Sequence, residues 1–215
     1  GADAVKFQYH NPLYESSNKE KFRKKFSDQD RTRKDYWNRT SFKTEDWINL
    51  RKYCKKIGID FICSPFSIES AKELNKLNLD YWKIASGEFN NLLLLEYIVF
   101  NSNKPIILST GLANKIEIRK ITNFLKKNKK IFYLLKCTSR YPTPLEEVGH
   151  REINTMKNKY RCPVGISDHS GNVNSLIAAV ALGATILEFH VTFDEFFFGP
   201  DNSSSILFKD LKLLS

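Results

Sequence analysis

The sequence predicts an α/β protein built on a parallel sheet. Three observations carry that reading. Seven short apolar strands recur along the chain, helical patterns separate nearly all of them, and each strand runs into polar or charged residues at its C-terminal end. Strand, helix and strand in repetition make parallel neighbours, because a crossover is needed to return the chain in the same direction. If such a sheet closes into a barrel, the strand C-termini share one mouth, where barrels keep their chemistry.

The first strand, Ala4–Gln8, already reads as core and the sequence opens without Met, so the chain is expected to begin inside a domain, with no signal peptide expected in the residues read. A long connection follows, from Tyr9 to about Thr44, rich in basic and aromatic residues such as Phe22, Phe26, Tyr36 and Trp37. A loop of that length is either a lid or binding loop or a surface insertion. Thr44 is placed to cap a helix through Ile57, with Trp47, Leu50 and Cys54 on one stripe and Gly58 as the stop. Strand Asp60–Ser64 comes next, then a helix capped by Ser67 that carries Ile68, Ala71, Leu74 and Leu77 on one face. After strands Tyr81–Ser86 and Pro105–Thr110, Asn114 and Glu117 read as a capping box opening a helix with Ile118, Ile121 and Leu125 inward. Strands Ile131–Ser139 and Val164–His169 precede an Ala-rich helix opened by Asn174 and ended by Gly183. Strand Thr185–His190 is the last of the seven, and a further apolar pattern starts after Asp210. No internal repeat, low-complexity tract or linker divides residues 1–215, so the reading is a single domain.

The chain has 215 residues, 41% of them hydrophobic, enough for one sizeable core or most of an α/β barrel of roughly 250 residues. No apolar run approaches the ~18 residues that would span a membrane. Cys54, Cys63, Cys137 and Cys162 have no metal or redox spacing and read as buried reduced thiols of a cytoplasmic protein. The net charge of +10 raises the question of nucleic acid. Its lysines, however, are spread over helix faces and loops (Lys19–Lys25, Lys52–Lys56, Lys126–Lys130), so no nucleic-acid partner is expected. An anionic small substrate is compatible with that charge.

Strand parity sorts the polar residues at the strand ends. Lys6 and Gln8 share a face, as do Ser167 with His169 and Glu188 with His190. Lysines on buried strands, Lys6 and Lys83, require neutralisation. A phosphate or carboxylate held with Ser86, Ser109 and Ser167 would supply it, and so would an internal ion pair with Glu88 or Glu188. His169 and His190 end consecutive strands, which lets two imidazoles converge on one divalent ion or leaves each as a hydrogen-bonded strand end. Two histidines and several waters would make an open Lewis-acid site for a carbonyl. Glu88, after Ser86-Gly87, and Asp201, within Gly199-Pro200-Asp201, are either proton-transfer and sugar-orienting carboxylates or turn residues.

Taken together, several segments resemble the N-acetylneuraminate (sialic acid) synthase family, which includes legionaminic and pseudaminic acid synthases and spore-coat polysaccharide relatives. They are Gly1–Gln8 (GADAVKFQ), Ser64-Pro65-Phe66, Lys83–Glu88 (KIASGE), Lys104–Gly111 (KPIILSTG), Cys137–Pro142 (CTSRYP), Val164–His169 (VGISDH), Leu187-Glu188-Phe189-His190 and Gly199-Pro200-Asp201, in family order across nearly the whole chain. The resemblance implies a (β/α)8 TIM barrel, here lacking its first strand and the C-terminal antifreeze-like domain. It implies condensation of phosphoenolpyruvate with an N-acetylated hexosamine of the N-acetylmannosamine kind, giving a nine-carbon 2-keto acid and phosphate. By that likeness His169 and His190 hold manganese or magnesium, and Lys6, Lys83, Ser86, Ser109 and Ser167 hold phosphoenolpyruvate. Gln8, Glu88, Tyr141 and Asp201 face the amino sugar, Glu88 being the residue assigned to water activation or proton transfer. Ser139 stands where many bacterial members carry Asn, and Asn202 where many carry His. A homodimer is implied for the full-length protein. A Schiff-base aldolase using Lys83, and a non-catalytic phosphoenolpyruvate-binding remnant, are the competing readings.

Overall fold

Apolar strands flanked by helices form where the pattern places them, with one addition. The computed structural model describes residues 1–22 and 29–214, so Phe26 and part of the Lys19–Lys25 run lie outside the described residues. Eight parallel strands occur among the described residues, divided between two compact units. No helix among them is long and apolar enough to cross a membrane.

The first unit, residues 3–83 and 91–104, holds strands β1 (Ala4–Tyr9), β2 (Asp60–Pro65) and β3 (Tyr81–Ile84). Val5 lies opposite Phe61, Gln8 opposite Ser64, and Ile62 opposite Tyr81. Side chains alternate across such a sheet. Phe7 therefore packs on Phe61 (centroids 5.5 Å apart) and edge-on against Trp47 (6.1 Å), while Lys6, Gln8, Ser64 and Lys83 take the other face. Helix α3 (Thr44–Ile57) presents Trp47 and Cys54 to this core and ends at Gly58, whose φ of 74° is the left-handed geometry glycine tolerates. Thr44 is not the cap: the helix starts on it, and Lys43 precedes it, donating its backbone N–H to Asp46 at 3.0 Å. Ser67 does cap α4 (Ile68–Lys76), accepting from Ser70 N–H at 3.1 Å. Helix α5 (Leu92–Asn101) buries Leu94, Leu95, Ile98 and Val99. The long connection is partly helical, with α1 (Pro12–Glu15) and α2 (Arg33–Thr40), the latter opened by a Thr32–Asp35 capping box.

The second unit, built from residues 1–2, 84–90 and 105 onward, carries five strands. They are β4 (Ile106–Ser109), β5 (Phe132–Cys137), β6 (Val164–Asp168), β7 (Leu187–Thr192) and β8 (Ser205–Leu207). Registers run Ile106 to Phe132, Leu134 to Val164, Ile166 to Leu187 and His190 to Ser205. Three-residue β8 is the strand the sequence hides, because a serine run around one buried Ile206 shows no period. Gly165 sits where a Cβ would collide with the Ile186 carbonyl, so only glycine lets the backbone approach this closely. Helix α6 (Lys115–Lys127) opens on the expected box: Asn114 Oδ1 accepts from Ile116 and Glu117 N–H, and Asn114 N–H reaches Glu117 at 2.7 Å. After α7 (Glu152–Tyr160), helix α8 (Val173–Ala181) starts two residues earlier than Asn174 predicts. Asn172 is its cap, accepting from Asn174 N–H at 2.9 Å.

Candidate active site

The second unit gathers a polar cluster at the C-terminal ends of consecutive strands. Ser167, on the last turn of the pleat in β6, lies opposite Glu188 of β7 and donates to its carboxylate at 2.9 Å. Two residues on, His169 is buried, 5% exposed. Its Nδ1 lies 3.2 Å from the Thr138 carbonyl, which can only accept, so Nδ1 carries the proton and Nε2 presents its lone pair. The Tyr141 hydroxyl stands 2.9 Å from that Nε2, its ring 4.1 Å from the imidazole. His190 projects from β7 with its ring centroid 5.4 Å from that of His169 and 6.1 Å from that of Tyr141. Asp201 brings a carboxylate oxygen to 3.8 Å from His190 Nδ1. Burial opposes charging His169, but hydrogen bonding to Cys137 and the Thr138 carbonyl, together with the charges of Cys137 and Glu188, outweighs it and lifts the imidazole above its ordinary range.

A second knot lies beside it. Ser86 accepts from Gly111 N–H at 3.1 Å and reaches Cys137 Sγ at 3.4 Å. A Cβ on Gly111 would run into the hydroxyls of Ser86 and Ser139, which places both serines against that glycine. Ser109 is buried at the end of β4, and Glu88 is half-buried in the turn Ser86–Glu88. Asp168 points away from the cluster: it accepts from Ser170 N–H at 2.7 Å and from the Ser175 hydroxyl, and His150 Nε2 lies 3.0 Å from Ser175 Oγ. It therefore holds the loop between β6 and α8. The loop from Phe193 to Pro200 is tied at its base, where Thr192 donates to Asn202 Oδ1 and Asn202 Nδ2 donates to the Glu195 carbonyl, both at 2.6 Å.

The first unit places the remaining predicted residues. Lys6 and Gln8 share the face of β1 that also carries Ser64, and Lys83 on β3 is buried, 2% exposed. A buried ammonium demands compensating acceptors or charge, as the sequence reading required. Sequence reasoning passed over His10. Its Nε2 meets Gln8 Oε1 at 3.2 Å, and the parity that joins Lys6 to Gln8 extends directly to it. It also passed over Glu188 as the acceptor for Ser167.

Two histidines with one fixed tautomer suit a divalent ion. The Nδ1–H contact with a carbonyl orients the imidazole and leaves Nε2 to ligate. Among the described residues no group of three or more His, Cys, Asp or Glu that could hold a metal ion occurs, so the histidine pair is the donor set available.

A model of the NeuB family matches residues 1–215. The chain belongs to the NeuB family. The N,N'-diacetyllegionaminic acid synthase of Campylobacter jejuni is 37% identical over 220 residues, covering 100% of this chain and 66% of that protein. Human N-acetylneuraminate-9-phosphate synthase is 31% identical over 215 residues, covering 96% of this chain and 58% of its own length. The chain thus spans about six-tenths of the length of these curated relatives. Among solved structures, the N-acetylneuraminic acid (sialic acid) synthetase of Leptospira borgpetersenii, determined with citrate, superposes with a TM-score of 0.87 at 31% identity, covering 99% of this chain and 70% of that one. The α/β parallel-strand fold is therefore that of the sialic acid synthases, and these NeuB relatives are named as sugar-acid synthases, which are enzymes.

Proposed function

We propose that this NeuB-family protein condenses phosphoenolpyruvate with an N-acetylated hexosamine, giving a nine-carbon 2-keto sugar acid and phosphate. The observation that carries the reading is the cluster in which Ser167, Tyr141, His169 and His190 meet at consecutive strand ends. A chain matched to sugar-acid synthases along its whole length supports it. The strands are taken to belong to a (β/α)8 TIM barrel. Lys6 and Lys83, with Ser86, Ser109, Ser139 and Ser167, hold the phosphate and carboxylate through charge-assisted hydrogen bonds. Gln8, Tyr141 and Asp201 orient the amino sugar. The enol carbon bonds to the aldehyde carbon, and the aldehyde oxygen takes a proton to become a hydroxyl. Water then adds at the oxocarbenium carbon, losing a proton toward Glu88, and the bond from that carbon to the phosphate oxygen breaks. His169 and His190 would hold manganese or magnesium, whose chemistry there is Lewis-acid polarisation of the aldehyde. A homodimer in the cytoplasm completes the proposal.

The test is phosphate release from phosphoenolpyruvate by the intact protein, against a panel of N-acetylated and diacetamido hexoses. Release with one sugar of the panel is expected, lost on chelation and restored by manganese or magnesium. Silence with every sugar and both metals would overturn the reading.

A further inference from the structure

His10 stands at the centre of an arrangement that the proposed chemistry does not use. Its ring lies between two aromatic planes, Trp37 at 4.4 Å and 11° on one side and Phe66 at 4.2 Å and 18° on the other. The guanidinium of Arg33 covers the far side of Trp37, 4.5 Å from its ring centroid. In the plane of the imidazole, Nδ1 meets Glu15 Oε2 at 2.8 Å, and Nε2 meets Gln8 Oε1 at 3.2 Å. Glu15 is itself fixed. Its side chain is only 3% exposed, and its other oxygen accepts from Asn11 N–H at 2.7 Å and from the buried Ser70 hydroxyl at 2.9 Å.

The stack removes rotation of the ring, and the buried carboxylate holds the Nδ1 edge. One nitrogen is then left for Gln8, an exposed residue on the polar face of β1. A primary carboxamide offers an acceptor at one end and a donor at the other, so whichever end the ring takes, the opposite end is free. Glu15 only accepts, so Nδ1 carries a proton: the imidazolium donates from Nε2 to Oε1 and leaves the amide N–H groups for an oxygen of a ligand, whereas the neutral ring accepts an amide N–H on Nε2 and leaves Oε1 free. Trp37 belongs to α2 in the long connection, so that segment acts on Gln8 through the imidazole it clamps.

We propose that His10 is a positioning residue: clamped by Trp37, Phe66 and Glu15, it fixes which end of the Gln8 carboxamide is offered to the amino sugar. This rests on the reading of Gln8 as a sugar contact. The test uses His10→Phe, which keeps a flat ring in the stack and deletes both nitrogens, and His10→Gln, whose amide can regain the bond to Gln8. Thermal melting of both variants reports whether the fold survives. Two measurements then decide. In the ligand-free protein labelled with 15N-glutamine, the side-chain amide resonances of Gln8 are expected to shift and merge toward free-glutamine values in His10→Phe, and to recover in His10→Gln. With substrates, KM for the amino sugar is expected to rise about three- to tenfold in His10→Phe, with KM for phosphoenolpyruvate unchanged. Unmoved Gln8 resonances would overturn the proposal, and so would an equal rise in both KM values or none. If the parent protein releases no phosphate with any sugar, the proposed function fails alone, while the resonances still decide the link between His10 and Gln8.

Discussion

At the scale of single residues, burial sets chemistry more than residue type does. Cys162 is half-buried, and the loss of hydration pushes its thiol up to about 11, Lys126 opposing only weakly. Cys63, fully buried beside β1, is raised further by the same cause. Because the thiolate is the reactive species, a raised value means less of it at any given pH. At pH 8 roughly one Cys162 in a thousand is ionised. Intact-mass measurements with a maleimide should therefore find Cys162 modified slowly at pH 8 and about tenfold faster for each pH unit above, and Cys63 unmodified until the protein unfolds. Cys63 and Cys137 were legible as buried from their positions in apolar strands, whereas Cys162, read as buried with them, is only half-buried. His169 and His190 were legible too, because the two-residue period of a strand puts Ser167 with His169 and Glu188 with His190. His10 was not, since its significance depends on Trp37 and Phe66, which are remote from it in sequence.

At the scale of elements, local rules predicted what local interactions decide. Asn114, Ser67 and Gly58 do what capping chemistry requires of them, because each cap is settled within four residues. Thr44 and Asn174 failed by one and two positions: Asn172 supplies the side-chain cap at α8, while at α3 Lys43 makes none and Asp46 instead reaches back to the Lys43 N–H. Strand β8 escaped because it is fixed by pairing with β7 and burial of Ile206, which are tertiary facts. Gly165 is the sharpest element-level constraint. Its replacement by alanine drives a methyl into the backbone carbonyl of Ile186, just before β7, so one of the two backbones must shift. Gly165→Ala is expected to destabilise the protein by about 1–3 kcal/mol, as overpacking does. A thermal melt lowered by several degrees would register it.

At the scale of the whole molecule, the strand-and-helix alternation and the ordered motifs made the family legible end to end, and the match over residues 1–215 bears that out. The competing aldolase chemistry would need Lys83 to form an imine. Borohydride treatment with pyruvate is expected to leave the mass of the protein unchanged; an added pyruvyl group on Lys83 would favour the aldolase instead. The clasp that Asn202 makes with Thr192 and Glu195 has a wider meaning. It ties together the two ends of the crossover between parallel β7 and β8, beside His190 and Asp201. A fluorophore grafted at exposed Phe196, beyond the clasp, is therefore expected to leave the spacing of the histidine and the aspartate unchanged.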